Sequence, residues 1–489
     1  MAEPTTRARQ PKRPAHLPHG RWLGDLGDLS PFEKRLVAAC ARGEICSPDN
    51  WDDKRPEADA ATEANTIRAD LIRFLALGGD SKHPVHEEGV MLSGGWIEGV
   101  LNLSHGMLSF RLNLQKCYFD SIPVFMAASL PALALIGSSM PGMIADGMIV
   151  KGDVFLREGF IASGEIRLLG AQIGGDLSFT RGKFNNPKGK ALNAFSITVK
   201  GVVFLRHASI EGEILLPAAK IGTIIDDAVC WQAGGHTLDG LQYDQIVGPT
   251  DAEMRIEWLM QQHDDHIGKD FKPQPWEQLI KTLREMGHPN EAAKVAMAKQ
   301  DQWRIASQQV LKTKIKPMDQ NRVIQMRMAA GRWLRFSLHR LYGKLAGYGY
   351  RPLWTVYWMA AVCMACSLAF YAGRELGVVG PSSPLIHASA HFDSCGARGE
   401  MGKRYWTSAN CPMPPEYTTF QPFIYSLDLI LPLVDLQQDS DWAPIVSNAN
   451  GDTLWAGRVL RWLMWFEILF GWMASLTLVA VLGRLVDKD

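Results

Sequence analysis

Hydrophobic and polar positions alternate with a short period through the first half of the chain. The recurring unit has apolar residues at its first, fifth and seventh positions and usually glycine at its third, and it returns after eleven or twelve residues. Such short strands do not suit a β-sandwich, whereas the stacked coils of a parallel β-helix accommodate them. We therefore expect a β-helix over residues 89–249, with two units, about 22 residues, in each coil. The clearest units are Val150–Leu156, Ala162–Leu168, Ile173–Phe179, Val199–Leu205, Ile210–Leu216 and Ile221–Ile225.

The repeat region is interrupted once and has two alternative roles. Asn185–Lys188 has the composition of a turn and predicts an inserted loop. The coils could present a long face to a cytoplasmic ligand or protein, or they could serve only as a scaffold. Because the repeat shows no cluster of exposed aromatic or basic residues, the scaffold is favoured.

A helical period precedes the repeats. Ser30–Glu33 is a capping box with proline at the first helical position, and it predicts a helix that ends near Arg42. A second helix is expected from about Ala60 to Leu77. Two helices in front of a β-helix would cover its open end.

A helical period also follows the repeats. Residues 250–316 predict a helical hairpin similar to one tetratricopeptide repeat, with its first helix ending at Gly287. Within this stretch, His263 and His266 have the spacing of two metal ligands on a helix. No third ligand is apparent in the sequence, so a solvated polar surface is the favoured interpretation. We expect no metal and no cofactor.

Two apolar segments near the C-terminus are each long enough to cross a bilayer. Leu353–Ala372 carries no charge, and Leu460–Val486 contains only a few charged residues. The apolar stretch Phe420–Leu436 between them is too short to cross, and Pro422 and Pro432 favour a helix that starts and stops inside it. We therefore predict two transmembrane helices that flank a re-entrant loop.

This arrangement resembles the two-helix pore-loop module of tetrameric cation channels over Leu353–Val486. Tyr425 and Ser426 lie where such pore helices end their aromatic stretch, and Asp435 lies where an acid follows the selectivity filter. A potassium filter would read T-V-G-Y-G, whereas this chain has Leu431–Val434 there. The resemblance therefore implies a pore without potassium selectivity. The alternative is an inert membrane hairpin with a buried or surface-lying loop.

The candidate pore residues combine acids with a hydrophobic constriction. In a symmetric oligomer, Asp428 and Asp435 would form rings that favour cations. Glu467 lies inside the second span, where a lone carboxylate is unfavourable, so it should face a watery path or an arginine of a neighbouring subunit. The alternatives are that Asp428 caps or pairs within the fold, that Asp435 faces outer solvent and that Glu467 snorkels. The full candidate set is Ser426, Asp428, Pro432, Asp435 and Glu467.

The distribution of charge predicts an orientation. The chain has 51 basic and 51 acidic residues, but seven bases occur without an acid between Arg322 and Arg351. By the positive-inside rule, both termini are cytoplasmic and the loop between the spans is outside. The basic stretch also carries apolar residues at helical spacing, so we expect it to lie on the inner leaflet. The predicted membrane-surface residues are Arg327, Arg332, Trp333, Arg335, Arg340 and Lys344.

Cysteine positions fit this topology. Cys395 and Cys411 are alone in the predicted outer loop, where an oxidising compartment would allow them to form a disulfide. Cys363 and Cys366 form a C-x-x-C inside the first span and share one helix face. Their small neighbours favour a packing role over redox or metal chemistry.

The chain as a whole resembles a bacterial family of membrane-anchored β-solenoid proteins with pentapeptide-like or bactofilin-like repeats. The matching stretches are TIRADLIRFLALGG, IEGVLNL, IGGDLSF and FKPQPWEQLIKTLREMGHPNEAAKVAMAKQ, together with the two C-terminal spans. Such proteins are often labelled membrane-associated oxidoreductases. The sequence itself gives this label little support, because it has no G-x-G-x-x-G between a strand and a helix and no flavin or haem constellation.

The predicted protein has a mixed fold in a bacterial inner membrane. Its proposed function is a weakly cation-selective pore in a homo-oligomer, controlled by the cytoplasmic solenoid. The alternative is a non-conducting membrane-anchored scaffold or sensor, and a membrane-associated oxidoreductase is third. The expected partner is the lipid bilayer, with no nucleic acid.

The predicted segments are a disordered basic tail (1–29), a helical cap (30–88), a parallel β-helix (89–249), a helical hairpin (250–316), a basic interfacial helix (317–351) and a two-span membrane domain (352–489).

Overall fold

The computed structural model describes residues 23–49, 51–232, 234–314, 352–398, 403–411, 413–448 and 451–486, with scattered positions from 331 to 349. These form two compact units, Met1–Lys316 and Pro317–Asp489. Most of the predicted basic tail lies outside the described residues. Four of the predicted membrane-surface residues also lie outside them, while Arg340 and Lys344 are helical and exposed. The four are Arg327, Arg332, Trp333 and Arg335.

The first unit opens with the capped helix that the sequence predicts. Helix α1 spans Pro31–Arg42, and the Ser30 hydroxyl accepts a hydrogen bond from the Glu33 N–H at 3.1 Å. The second helix is shorter than predicted, because α2 spans only Ala69–Ala76. The residues just before it, Thr66–Arg68, instead form a strand parallel to Trp96–Glu98. The β-helix ladder therefore begins inside the predicted cap.

The predicted parallel β-helix is confirmed, and each coil has four faces. Its strands stack in register at spacings close to the predicted 22 residues, as Val90, Leu112, Leu133 and Val154 show. The first face contains Val90–Ser93, Leu112–Gln115, Leu133–Ala134, Val154–Phe155 and Leu177–Ser178. The second face contains Thr66–Arg68, Trp96–Glu98, Tyr118–Phe119, Ser139–Met140 and Ile161–Ala162. The third face contains the strands Met143–Ile144 and Ile166–Arg167, and the fourth contains Ser129–Leu130, Ile149–Val150 and Gln172–Ile173. Longer strands that turn a corner form the last coils: Lys183–Asn193, Thr198–Phe204, Ser209–Leu215, Lys220–Ile225 and Gln242–Val247.

The axis of the β-helix is filled by the alternating apolar residues. Large side chains such as Phe119, Phe125 and Phe160 are fully buried. Burial of one such side chain stabilises a fold by roughly 1.5–3 kcal/mol. One ladder of inward side chains, each at most 2% exposed, comprises Leu92, Leu114, Leu135, Leu156, Phe179 and Leu205.

The glycine and the acid of the repeat have distinct structural roles. A Cβ atom on Gly164, the third residue of its unit, would lie 2.4 Å from the Pro141 carbonyl oxygen of the preceding coil, so only glycine fits there. Asp153 Oδ1 accepts a hydrogen bond from the Asp176 N–H at 2.9 Å, and Asp176 Oδ1 accepts one from the Val202 N–H at 2.8 Å. The acids therefore bind the backbone of the next coil where the chain turns a corner.

The predicted inserted loop is part of a strand. Asn185–Lys188 lies within Lys183–Asn193, whose two ends pair with different faces of the preceding coil. The pairing with Ser209–Leu215 shifts register between Asn185 and Lys190. The extra residues are therefore absorbed as a bulge between two in-register ends.

Helices close the C-terminal end of the β-helix. Helix α3 (Ala252–Met260) is followed by α4 (Asp264–Ile267), α5 (Gln274–Glu285) and α6 (Pro289–Lys314). Gln274 donates to the Leu241 carbonyl at 2.9 Å, and Gln278 donates to the Tyr243 carbonyl at 2.7 Å. The hairpin of α5 and α6 thus supplies partners for carbonyl groups of the last coil.

The second unit contains the two long apolar helices. They are α7 (Pro352–Glu375) and α11 (Trp455–Val486), and their windows Leu353–Glu375 and Trp455–Ala480 are long and apolar enough to cross a membrane. Between them lie α8 (Pro384–Ala388), α9 (Pro422–Ile430), α10 (Gln438–Asp441) and two strand pairs, Val379–Pro381 with Trp442–Pro444 and Cys395–Gly396 with Arg404–Tyr405.

We expect the Asp226→Ala substitution to destabilise the first unit strongly. The Asp226 carboxylate and the Arg255 guanidinium are fully buried and form two hydrogen bonds of 2.6 and 2.8 Å. Removal of one partner leaves a buried charge unpaired, which costs about 3–5 kcal/mol. Circular dichroism of the purified chain should show a lower melting temperature of its β signal.

Asp146→Ala is the matched control for this change. Asp146 pairs with Arg167, whose side chain is 43% exposed, so its loss should cost at most about 1 kcal/mol. Equal melting temperatures for the two variants would show that the buried pair contributes no more to stability than the exposed pair.

Candidate functional site

Helix α9 is bounded by the two prolines that the sequence singles out. Pro422 occupies its first turn, where its missing N–H costs no helical hydrogen bond. At the other end Leu431 has φ −98° and ψ 91°, because the residue before Pro432 is disfavoured in the helical region. The helix therefore ends at Ile430.

Helix α9 lies between the two long helices and ends near their midpoints. The Ser426 hydroxyl lies 2.9 Å from the Cys363 carbonyl oxygen, which is ten residues from the start of the Leu353–Glu375 window. A Cβ atom on Gly471 would lie 2.2 Å from the Ile430 carbonyl oxygen, so α11 needs glycine at this contact. Gly471 is nine residues before the end of the Trp455–Ala480 window. Helix α9 therefore packs between the middle parts of the two long helices, and its role as a re-entrant membrane segment stays a prediction.

Asp428 binds the backbone that follows α9. Its side chain is 6% exposed and accepts hydrogen bonds from three backbone N–H groups. The donors are Leu436 at 2.7 Å, Gln438 at 2.8 Å and Asp439 at 3.0 Å. This is the internal capping that the sequence left open as an alternative. A role for this residue in a pore stays a prediction.

Three acids meet at this turn. Asp435 and Asp439 are exposed, and carboxylate oxygens of Asp428, Asp435 and Asp439 all lie within 4.8 Å of one another. Partial burial and the two neighbouring carboxylates raise the pKa of Asp439 above its usual value. Oxygen ligands at this spacing suit a hard cation such as Ca²⁺. Asp428 has both oxygens already engaged with backbone N–H groups, so the geometry is explained without an ion.

The tip after α9 exposes apolar side chains. Pro432 is half-buried, whereas Leu433 is 89% exposed and Val434 is 46% exposed. These residues belong to the stretch that the sequence predicts as a hydrophobic constriction. Their role in conduction remains a prediction.

Glu467 and Ser426 are in direct contact. Both side chains are fully buried, and Ser426 Oγ forms a hydrogen bond with Glu467 Oε1. Within the chain Arg461 does not pair with Glu467 but donates to the Pro444 carbonyl at 2.5 Å. The expected neighbour of Glu467, a watery path or an arginine of another subunit, stays a prediction. Sequence reasoning selected both residues without foreseeing that they would touch.

Gly471 is the site residue that sequence reasoning missed. A glycine in the interior of a long apolar helix lowers helix stability, so it indicates a close contact. The sequence contains this signal, but it does not show that Ile430 would be the contact.

Comparison of the chain with protein-family models, curated proteins and solved structures found no match. The resemblances to the β-solenoid family and to the pore-loop module therefore remain hypotheses. The confirmed features are the β-solenoid, the two apolar helices and a cysteine pair at disulfide distance.

The Cys395–Cys411 pair should be oxidised in the native protein. The two Cα atoms lie 5.8 Å apart, both side chains are buried, and the sequence separation is 16 residues. Closure of a loop this long stabilises a fold by roughly 3 kcal/mol. Mass spectrometry after alkylation should label both cysteines only when the protein has first been reduced. Equal labelling with and without reduction would exclude the bond.

The turn after α9 should depend on Asp428 far more than on Asp435. In Asp428→Ala three backbone N–H groups lose their acceptor, and each buried donor left unsatisfied costs about 1–3 kcal/mol. Hydrogen exchange should accelerate at residues 436–439. In the control Asp435→Ala only the exposed 2.8 Å bond from the Gln437 N–H is lost, so the change should be small. Similar exchange in the two variants would contradict the capping role.

Proposed function

We propose that this protein forms a weakly cation-selective pore as a homo-oligomer. The supporting observation is the position of α9, which enters between α7 and α11 and ends near their midpoints. Non-helical backbone at membrane depth is tolerated only inside protein or along a water-filled cavity. One subunit leaves Leu433 almost fully exposed, so further copies would have to enclose this segment.

Charge supports a preference for cations. The described loop 413–448 contains no lysine or arginine, and Asp435 and Asp439 are exposed. In a symmetric assembly these carboxylates would form rings around the axis. The stretch Leu431–Val434 lacks the glycines of a carbonyl ladder, so selection among cations should be weak.

The proposed location is a bacterial inner membrane with both termini cytoplasmic. The seven-base run before the first apolar helix supports this orientation. The β-solenoid would then be cytoplasmic, where its faces are available to a ligand or protein that controls the pore.

A non-conducting membrane-anchored scaffold or sensor is the second candidate. The observation in its favour is that Asp428 is fully used as a backbone cap, which explains an acid in α9 without any pore. In this case α9 would only brace the two long helices.

Conductance in planar bilayers distinguishes the two candidates, and reversal potentials then test the charge selection. We expect cation-selective currents from the purified protein and a shift toward anion permeability in Asp435→Lys. The matched control is Glu416→Lys, which makes the same charge change at an exposed position elsewhere in the loop. No current from the purified protein would favour the scaffold. Equal shifts in the two variants would place Asp435 off the path.

A further inference from the structure

Ser426 makes more hydrogen-bond contacts than its single proton can supply. Its Oγ lies 2.9 Å from the Cys363 carbonyl oxygen and in hydrogen-bond contact with Glu467 Oε1. A carbonyl oxygen only accepts, and a serine hydroxyl donates once. If Ser426 donates to Cys363, its contact with Glu467 is a hydrogen bond only when the carboxyl group carries the proton.

The surroundings of Glu467 also favour the neutral acid. The side chain is fully buried, and no lysine, arginine or histidine among the described residues forms an ion pair with it. A carboxylate without a compensating base is unfavourable in such a place. The titratable or charged groups of the elements around it are Cys363 and Cys366 on α7, Tyr425 and Asp428 on α9, Asp439 on α10, and Arg461 on α11 itself.

None of these groups supplies a countercharge to Glu467. Arg461 binds the Pro444 carbonyl, and Asp428 binds backbone N–H groups. The Cys366 thiol is in hydrogen-bond contact with the Glu467 carboxyl group but carries no charge, and the Cys363 thiol and the Tyr425 phenol are neutral as well. The remaining acid, Asp439, would repel a carboxylate rather than stabilise it.

We propose that Glu467 is a proton-binding site that holds α9 in place. The protonated carboxyl donates to Ser426 Oγ, and Ser426 donates to the Cys363 carbonyl oxygen. One relay of two hydrogen bonds thus connects α11 to α9 and α9 to α7. Removal of the proton at high pH puts an unpaired negative charge into the contact and releases α9 from the long helices.

Infrared spectroscopy of the purified full-length protein tests the protonation directly. The spectrum of the wild type minus that of Glu467→Gln should contain the carbonyl stretch of a protonated carboxylic acid at neutral pH. In Ser426→Ala the same band should remain but move to higher frequency, because the acid has lost its acceptor. A difference spectrum that contains only carboxylate bands would overturn the proposal.

The native thiol of Cys363 reports the release of α9. Its Sγ lies 3.5 Å from Ser426 Oγ and is covered by α9, so a thiol reagent reaches it only when α9 moves. Peptide mass spectrometry can follow labelling of this residue alone at increasing pH. As the pH rises, the labelling rate of Cys363 should increase about tenfold more in the wild type than in Glu467→Gln. The variant has the same thiol chemistry, but its amide side chain does not ionise.

Identical pH profiles for the wild type and Glu467→Gln would overturn the release step. Ser426→Ala provides the second variant, and it should label faster than the wild type already at neutral pH. Unchanged helical content by circular dichroism shows that each variant is folded. Neither readout requires conduction, so the proton site can hold even if the pore proposal fails. If the protein conducts but Glu467 does not titrate, the pore proposal holds and the proton site fails.

Discussion

Every backbone N–H and carbonyl group that leaves a regular element inside a packed structure needs a new partner. In the second unit this constraint is most severe just after α9, where the chain reverses between two apolar helices. The Asp428 carboxylate supplies these partners, because it accepts hydrogen bonds from three backbone N–H groups of the reversing segment. One acidic side chain within the apolar α9 thus allows the chain to enter between the helices and to leave again.

The first unit meets the same constraint with a different device. The backbone of each coil of the β-helix forms hydrogen bonds with the coils on both sides, whereas the coils at the two ends have a neighbour on one side only. Asp153 and Asp176 bind backbone N–H groups at a corner. At the C-terminal end, the amide groups of Gln274 and Gln278 bind carbonyl groups of the last coil. Long polar side chains on a helix therefore replace the coil that would have come next.

The features that depend on a local period could be predicted from the sequence. The coil length follows from the spacing of the repeat, and the ends of α9 follow from Pro422 and Pro432. The limit of α2 could not be predicted in the same way, because Thr66–Arg68 is drawn into a strand by Trp96–Glu98, about thirty residues later. Tertiary pairing of this kind overrides local helical preference.

The candidate site shows a further limit of sequence reasoning. Ser426 and Glu467 are 41 residues apart, and their contact depends on how three helices pack. Period and composition select polar residues in apolar helices, but they do not show which of them meet. The close approach of Gly471 to Ile430 is of the same kind, because only packing reveals the partner of the glycine.

The acids near α9 divide into two groups with different physical constraints. Asp428 and Glu467 are buried and hydrogen-bonded, so their charge or proton is committed to the packing of α9. Asp435 and Asp439 are exposed and mutually repulsive, and the raised pKa of Asp439 reflects its partial burial together with the neighbouring Asp428 and Asp435 carboxylates. A field that attracts cations in an assembly would therefore come from the exposed pair, while the buried pair would determine whether α9 stays between the long helices. The preference for cations and the stable placement of α9 would then depend on separate residues, so one property could change without the other.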